Sequence, residues 1–577
     1  MKKKIIPVLV AIALICVVVL VTVIPKILDR YSYSKERADL TEYFECEGDE
    51  ARIMHQDQLL ADRALVRDGA VYFQYDTVAA YMEDRFYYNE TERALKYTLP
   101  DCVETVFLDT AVIIKTVPDL TGQGTTESET LNHTAAFEEE GTLYLWAYYV
   151  QRYCDMNYAL YGGGGEPYRV QIFTEEDTVN TATIKKATAV RRLGGIKSPI
   201  LTDVAAGDEV VVLNRMETWA EVKTKDCVTG YIEVKYLENE QEIRRTTGRE
   251  YTEPVYPRIQ RDHKIVMAWH PVMSADANST LDGVTANTGG LNVISPTWFY
   301  VAGGADGVSI NNISDASYVA RAHGKGYEVW ALAEDMTLSP DLYGILSSST
   351  LREALEIQLV SAALNAGVDG INIDFEHVSK DCGVHFAQFL RELSILTHKN
   401  NLVLSVDNYV PEGGRGQYHL EEQGIVVDYV VLMGYDEHWA GCSEAGSVAS
   451  IGFVERGIRD TIEIGVPADR IINGVPFFTR IWSTNGGEVT SSAVGMQAAK
   501  DWVNNYGVEL MWDEITCQNY GELSSGGALY QVWMEDQESL QVKLNVMNTY
   551  EIAGLSAWRL GYETADIWAI IAAYGNS

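Results

Sequence analysis

The chain has 577 residues, 47% of them hydrophobic, and a formal net charge of −37. It is too long for one hydrophobic core, so roughly three or four domains are expected. Its acidity excludes nucleic acid and anionic lipid as bulk electrostatic partners, and any grip on an anionic polymer has to be local.

Lys2, Lys3 and Lys4 precede an uncharged apolar run from Ile5 to Ile24. About 20 such residues cross a bilayer, and the core of a cleaved signal is usually shorter. No small-x-small cleavage site follows, only Pro25-Lys26-Ile27-Leu28-Asp29, and Ala13-Leu14-Ile15 before Cys16 does not form a lipoprotein box. Residues 1–30 are therefore expected to be a cytoplasmic tip and single-pass signal anchor in the cell membrane, with the rest of the chain extracellular. Cys16, Cys46, Cys102, Cys154, Cys227, Cys382, Cys442 and Cys517 stand singly. Without a Cys-x-x-Cys pair, neither a zinc cluster nor a thioredoxin-type motif is present.

Residues 31–175 carry an internal echo. Arg67-Asp68-Gly69-Ala70-Val71-Tyr72-Phe73 leads into Val78-Ala79-Ala80-Tyr81, and Glu140-Gly141-Thr142-Leu143-Tyr144-Leu145 leads into Tyr149-Val150-Gln151-Arg152-Tyr153. Each copy predicts a turn, a short strand and a short helix. The pattern resembles the copper amine oxidase N-terminal-like stalk module, which implies an α+β spacer. Residues 180–242 predict a small all-β module, with short runs such as Val210-Val211-Val212, Trp219-Ala220-Glu221-Val222 and Gly230-Tyr231-Ile232 between polar turns. Their order is similar to the bacterial SH3-like domain, which implies a compact barrel that either contacts peptidoglycan or serves as a plain connector. Charged, Pro-containing residues 243–260 predict a linker.

From 261 to 577, apolar strands alternate with helical patterns. Strands are expected at Ile265–Ala268, Asn292–Ser295, Glu328–Leu332, Gly370–Phe375, Leu402–Val406, Tyr429–Met433, Ile471–Val475 and Gly554–Trp558. That alternation suits a (β/α)8 TIM barrel. In the connection before the acidic strand, Thr350-x-x-Glu353 predicts a capping box, and Gly367 predicts the helix end. An insertion from about 480 to 550 is expected to cover part of the barrel mouth.

Asp369-Gly370-Ile371-Asn372-Ile373-Asp374-Phe375-Glu376 alternates polar and apolar residues. As a strand it puts Asn372, Asp374 and Glu376 on one face, about 6.6 Å apart, and Asp369 on the other. Buried carboxylates in a row are costly to keep unless they are used, although the octet alone is equally compatible with a half-solvated strand. In such a barrel the working residues sit at the carboxyl ends of strands. Those ends offer Glu376 on the fourth strand, Asp407 and Asn408 on the fifth, Met433-Gly434-Tyr435-Asp436 on the sixth and Trp558 on the eighth. His270, His377 and His438 are expected on the polar rim.

The last domain resembles glycoside hydrolase family 18, whose signature is Asp-x-x-Asp-x-Asp-x-Glu followed by Met-x-Tyr-Asp. Gly-Ile-Asn-Ile-Asp-Phe-Glu is similar to the branch found in spore-cortex and cell-wall N-acetylglucosaminidases, with Asn372 in place of the second signature aspartate. The resemblance implies a retaining, substrate-assisted hydrolase that needs no cofactor and no metal. Glu376 is then the acid and base, Asp374 orients the substrate acetamido group, and Tyr435 bonds its carbonyl. Asn372, Asp436, Trp558, Met433, Asp407 and Asn408 are the expected substrate-binding residues. The Asn372 amide is expected to donate to Asp374, which would keep Asp374 ionised. The glycan partner is peptidoglycan, or alternatively chitin and its oligomers. A non-catalytic glycan-binding protein is a third alternative, disfavoured because Glu376, Asp374 and Tyr435 are all kept.

Overall fold

The computed structural model describes residues 2–576. Helix Ile5–Tyr31 is long and apolar enough to cross a membrane. Two compact units make up the chain.

The first unit comprises Met1–Phe86, Val106–Ile113 and Glu129–Glu253. One of its sheets has seven strands, and the two echoing segments meet there: Ala70–Gln74 and Thr142–Trp146 pair antiparallel. Each of these strands runs directly into a short helix, Tyr75–Tyr81 and Ala147–Val150. A second seven-stranded sheet holds the β-rich segment. It reaches beyond the expected bounds, because Asp177–Ile184 pairs with Leu237–Arg245 and draws Ile243, Arg244 and Arg245 out of the predicted linker.

The second unit comprises Tyr87–Thr105, Ile114–Ser128 and Pro254–Ser577. At its centre lie eight parallel strands: β1 (Ile265–His270), β2 (Val293–Gly304), β3 (Glu328–Glu334), β4 (Gly370–Asp374), β5 (Val403–Tyr409), β6 (Tyr429–Met433), β7 (Ile471–Pro476) and β8 (Gly554–Trp558). Pairing of β8 with β1 and of β1 with β2 closes the barrel. Strand alternation sorts the side chains. Ile371 and Ile373 of β4 join the large core under the helices, whereas Met267, Trp269, Trp330, Leu332 and Val431 fill the barrel interior.

Helix α1 (Ser349–Ala366) leads into β4. Its cap differs from the predicted box: Ser348 is the N-cap and accepts from the Leu351 amide, two residues earlier than the Thr350-based pattern. Gly367 ends the helix as predicted, with φ of +75°, a conformation that suits glycine.

The expected stalk 31–175 is divided, because residues 87–105 and 114–128 fold with the barrel. The reason is a polar seam against α1 and α2 (Gly383–Lys399). Glu92 accepts from the amide and hydroxyl of Ser349 at 2.7 Å each, Lys96 donates to the Ser349 hydroxyl at 2.7 Å, and Gln388 donates to Thr98 at 2.9 Å. Without this segment those helix groups would lose their partners.

Between β7 and β8, strands from Phe478–Asn485 to Ala528–Trp533 form a five-stranded sheet with helix Met496–Tyr506. Trp482 donates to the Gly446 carbonyl at 2.8 Å, which ties this insertion to the loop after β6.

Candidate active site

A cleft of about 980 Å³ opens at the carboxyl ends of the strands. Its lining includes Trp269, Glu334, Asp374, Glu376, Asp407, Tyr409, Met433, Tyr435, Asp436 and Trp558. Strand β4 stops at Asp374, and Glu376 lies two residues further, in a loop. Its backbone is nevertheless held. Fully buried Asp335 accepts from the amides of Glu376 and His377 at 2.9 and 3.0 Å, and the Tyr418 hydroxyl donates to the Glu376 carbonyl at 2.9 Å. The Tyr409 hydroxyl donates to the Glu376 carboxylate.

Burial raises Glu376 above the ordinary carboxylate range; the Tyr409 hydrogen bond opposes this, and nearby Asp335 and Asp436 add to it. Asp374 is pushed well above its ordinary value by burial first, then by Asp407 and Glu376. One step beyond the Ile373–Val406 register pair, Asp374 and Asp407 stand on neighbouring strands with the same facing. Asp407 is also raised by burial, against the hydrogen bond from Asn372. Among the described residues, Asp374 Oδ1 is buried without a hydrogen-bond partner.

Asn372 does not do what its sequence suggests. Its Nδ2 donates to Asp407 Oδ1 at 2.7 Å and to Ser405 at 3.1 Å, not to Asp374. Its Oδ1 accepts from Trp269 Nε1 at 2.9 Å and from Ser295 at 3.2 Å. With all of its surface buried, it lies beneath the cleft and does not line it. Asp374 is therefore not stabilised as an anion by the Asn372 amide. Asn408 is likewise buried and faces away, exchanging hydrogen bonds with Gln423 at 2.8 and 2.9 Å. Strand alternation explains this: Asp407 and Tyr409 share the inner face and Asn408 the outer one.

Tyr435 packs edge-on against Trp269 and Phe478, and Trp269 also meets Trp558, with centroids 5.9 Å apart. Asp436 lies 3.8 Å from Arg480 of the insertion and is raised by burial. His270 is not on the rim: it is buried and bonded to Tyr318 and Thr280 at 2.9 and 3.0 Å. His377 is exposed, 3.4 Å from Asp335, and His438 bonds the Ser447 carbonyl. Asp369 accepts from the Val329 amide and pairs with His323, on the outer side of the sheet. Asp335, Tyr409 and Tyr418 escaped the sequence reading. Tyr409 had a usable signal, since it continues the facing of Asp407; Asp335 and Tyr418 had none, because their contact with Glu376 spans 41 and 42 residues.

The family model for glycosyl hydrolases family 18 matches residues 329–563, from β3 through β8. This domain belongs to glycosyl hydrolases family 18. The chain is 25% identical over 245 residues to the uncharacterized glycosylase YvbX of Bacillus subtilis (strain 168), covering 39% of this chain and 67% of that protein. It is 27% identical over 251 residues to the cortical fragment-lytic enzyme of the same organism, covering 41% and 57%. Among solved structures, the Bacillus cereus spore cortex-lytic enzyme SleL superposes with a TM-score of 0.48 at 21% identity, covering 55% of this chain and 76% of that one. The family 18 domain thus spans between about half and two thirds of the curated relatives' length.

Proposed function

We propose that the protein is a membrane-anchored extracellular glycosidase that cleaves β-linked N-acetylglucosamine in peptidoglycan with retention of configuration. The observation that carries this reading is Asp374 Oδ1, a buried acceptor in the cleft with no partner among the described residues. Such a group is costly unless a ligand completes it, and the N–H of a 2-acetamido sugar is a fitting donor. Tyr435 is then placed to bond the acetamido carbonyl, whose oxygen attacks carbon 1 of the same sugar. Glu376, whose proton burial helps to retain, gives that proton to the departing glycosidic oxygen. As a carboxylate it then takes a proton from the water that opens the cyclic intermediate. The charge of Asp407 adds to burial in raising Asp374, so ionising both carboxyls at once is disfavoured at rest. Positive charge developing on the acetamido group favours ionised Asp374. Trp558 supplies an aromatic surface for the sugar.

Helix Ile5–Tyr31 supports anchoring, and the first unit then acts as a spacer whose β-rich module contacts the wall. An anchored enzyme meets its own wall first, which favours peptidoglycan over chitin, and the relative in Bacillus subtilis (strain 168) bears the name cortical fragment-lytic enzyme. The test uses the full chain in detergent and its Glu376→Gln variant on purified peptidoglycan and on chitin oligomers, with products read by mass spectrometry. New reducing-end N-acetylglucosamine from peptidoglycan, absent in the variant, is the expected result. Binding of both glycans without cleavage of either would overturn the enzyme reading.

A further inference from the structure

We infer that Arg415 is a specificity residue that recognises an anionic 3-O-substituent, the lactyl carboxylate of a muramic residue, on the sugar that leaves when Glu376 delivers its proton. The inference rests on the glycosidase reading above. Carboxylates dominate the cleft: Glu334, Asp374, Glu376, Asp407, Glu412 and Asp436 all line it, on a chain of net charge −37. An anionic substrate would be repelled there unless a cation met it locally.

Arg415, in the loop after β5, lines the same cleft and is exposed. Its guanidinium carbon lies 4.1 Å from the centre of the Tyr409 ring, and among the described residues it forms no ion pair. Arg480, by contrast, is already beside Asp436. Stacking uses the face of a guanidinium and leaves its N–H edge open for a two-point contact with a carboxylate. The ring beneath Arg415 is the one whose hydroxyl holds the Glu376 carboxylate, so a single tyrosine separates the cation from the proton to be delivered.

Carbohydrate chemistry supplies the rest. In an alternating β-1,4 glycan of N-acetylglucosamine and muramic acid, release of N-acetylglucosamine protonates O4 of a muramic residue. The lactyl ether hangs from C3, the adjacent carbon, so its carboxylate travels with the protonated oxygen. In chitin the same carbon carries only a hydroxyl. A free guanidinium at this distance therefore distinguishes the two glycans, and it meets a peptide-capped lactyl group only through a neutral carbonyl, a weaker contact.

The experiment uses the full chain in detergent and a tetrasaccharide of alternating N-acetylglucosamine and muramic acid, compared with its lactyl methyl ester. The quantity read is the ratio of kcat/KM for the acid to that for the ester. Arg415→Gln is expected to lower this ratio about tenfold, mostly through KM, and Arg415→Lys to give an intermediate value. Arg559, which lines the cleft stacked 3.8 Å from the Tyr562 ring, is the matched control, and Arg559→Gln is expected to shift the ratio less than about threefold. An unchanged ratio in Arg415→Gln, or an equal shift in Arg559→Gln, overturns the assignment. If the wild type cleaves neither sugar, the glycosidase reading falls while this inference is still read from calorimetric binding. Preference for acid over ester that is lost in Arg415→Gln supports it, and equal affinity of the wild type for both overturns it.

Discussion

Two regions of the second unit bury several charges, and they resolve them in opposite ways. In the seam between α1, α2 and residues 87–105, fully buried Arg352 grips Glu392 through two hydrogen bonds of 2.6 and 3.0 Å. Lys96 adds a second cation at 3.6 Å. Burial pushes Glu392 up, but Arg352 and Lys96 bring it down to about 2. Glu356 nearby is raised well above its ordinary range by burial and by Glu392. In the cleft, Asp374 and Asp407 form no ion pair among the described residues, and both are pushed upward. Charge that is matched on burial holds helices together, whereas charge left unmatched is held ready for a ligand.

Four substitutions break or sharpen this contrast. Glu376→Gln removes the proposed proton donor and is expected to lower kcat by about 10³- to 10⁴-fold with little change in melting temperature. A large fall in melting temperature would mean that the cleft carboxylate is structural. Next in size, Glu392→Gln leaves Arg352 buried without its counter-ion and is expected to cost about 3–5 kcal/mol of stability, seen as a lower midpoint in thermal or denaturant unfolding. An unchanged midpoint would remove the seam's claim to hold the unit together.

Asp374→Asn takes away one of two competing carboxyls. It should lower kcat by about 10²- to 10³-fold while raising stability, by more at pH 7 than at pH 4. The sign follows from linkage: the folded state holds the proton of Asp374 more tightly than the unfolded chain, so its cost grows as pH rises above the ordinary aspartate value. Glu392 behaves oppositely. Its folded pKa is depressed, so its contribution is complete above about pH 4.5 and fades as pH falls toward about 2. Loss of stability in Asp374→Asn at neutral pH would contradict the comparison. The smallest effect belongs to Tyr409→Phe. The lost hydroxyl had stabilised ionised Glu376, so the acid form should persist to higher pH. The alkaline limb of kcat/KM would shift upward by less than about one pH unit, and a downward shift would show that the hydrogen bond favours the acid.

The barrel and the row Asn372, Asp374, Glu376 were legible because alternation and helix punctuation are written in consecutive residues. All eight expected strand positions overlap strands of the barrel. Asp407, Met433, Tyr435, Asp436 and Trp558 reach the cleft from the strand ends where they were expected.

What the chain order could not settle were partners distant in sequence. Only the folded barrel turns the Asn372 amide to Asp407 on the next strand, clamps the Glu376 backbone on Asp335 and brings Tyr409 to its carboxylate. Residues 87–105 gave no local sign of belonging to the barrel, because their reason lies in Arg352 and Glu392, more than 200 residues away in the chain. By itself the sequence determined which residues face inward and at which strand end they emerge, since both follow from the geometry of a single strand. Tertiary structure alone decided which buried charges are matched and which remain open, since neutralising a buried charge takes a partner held in place by another part of the fold.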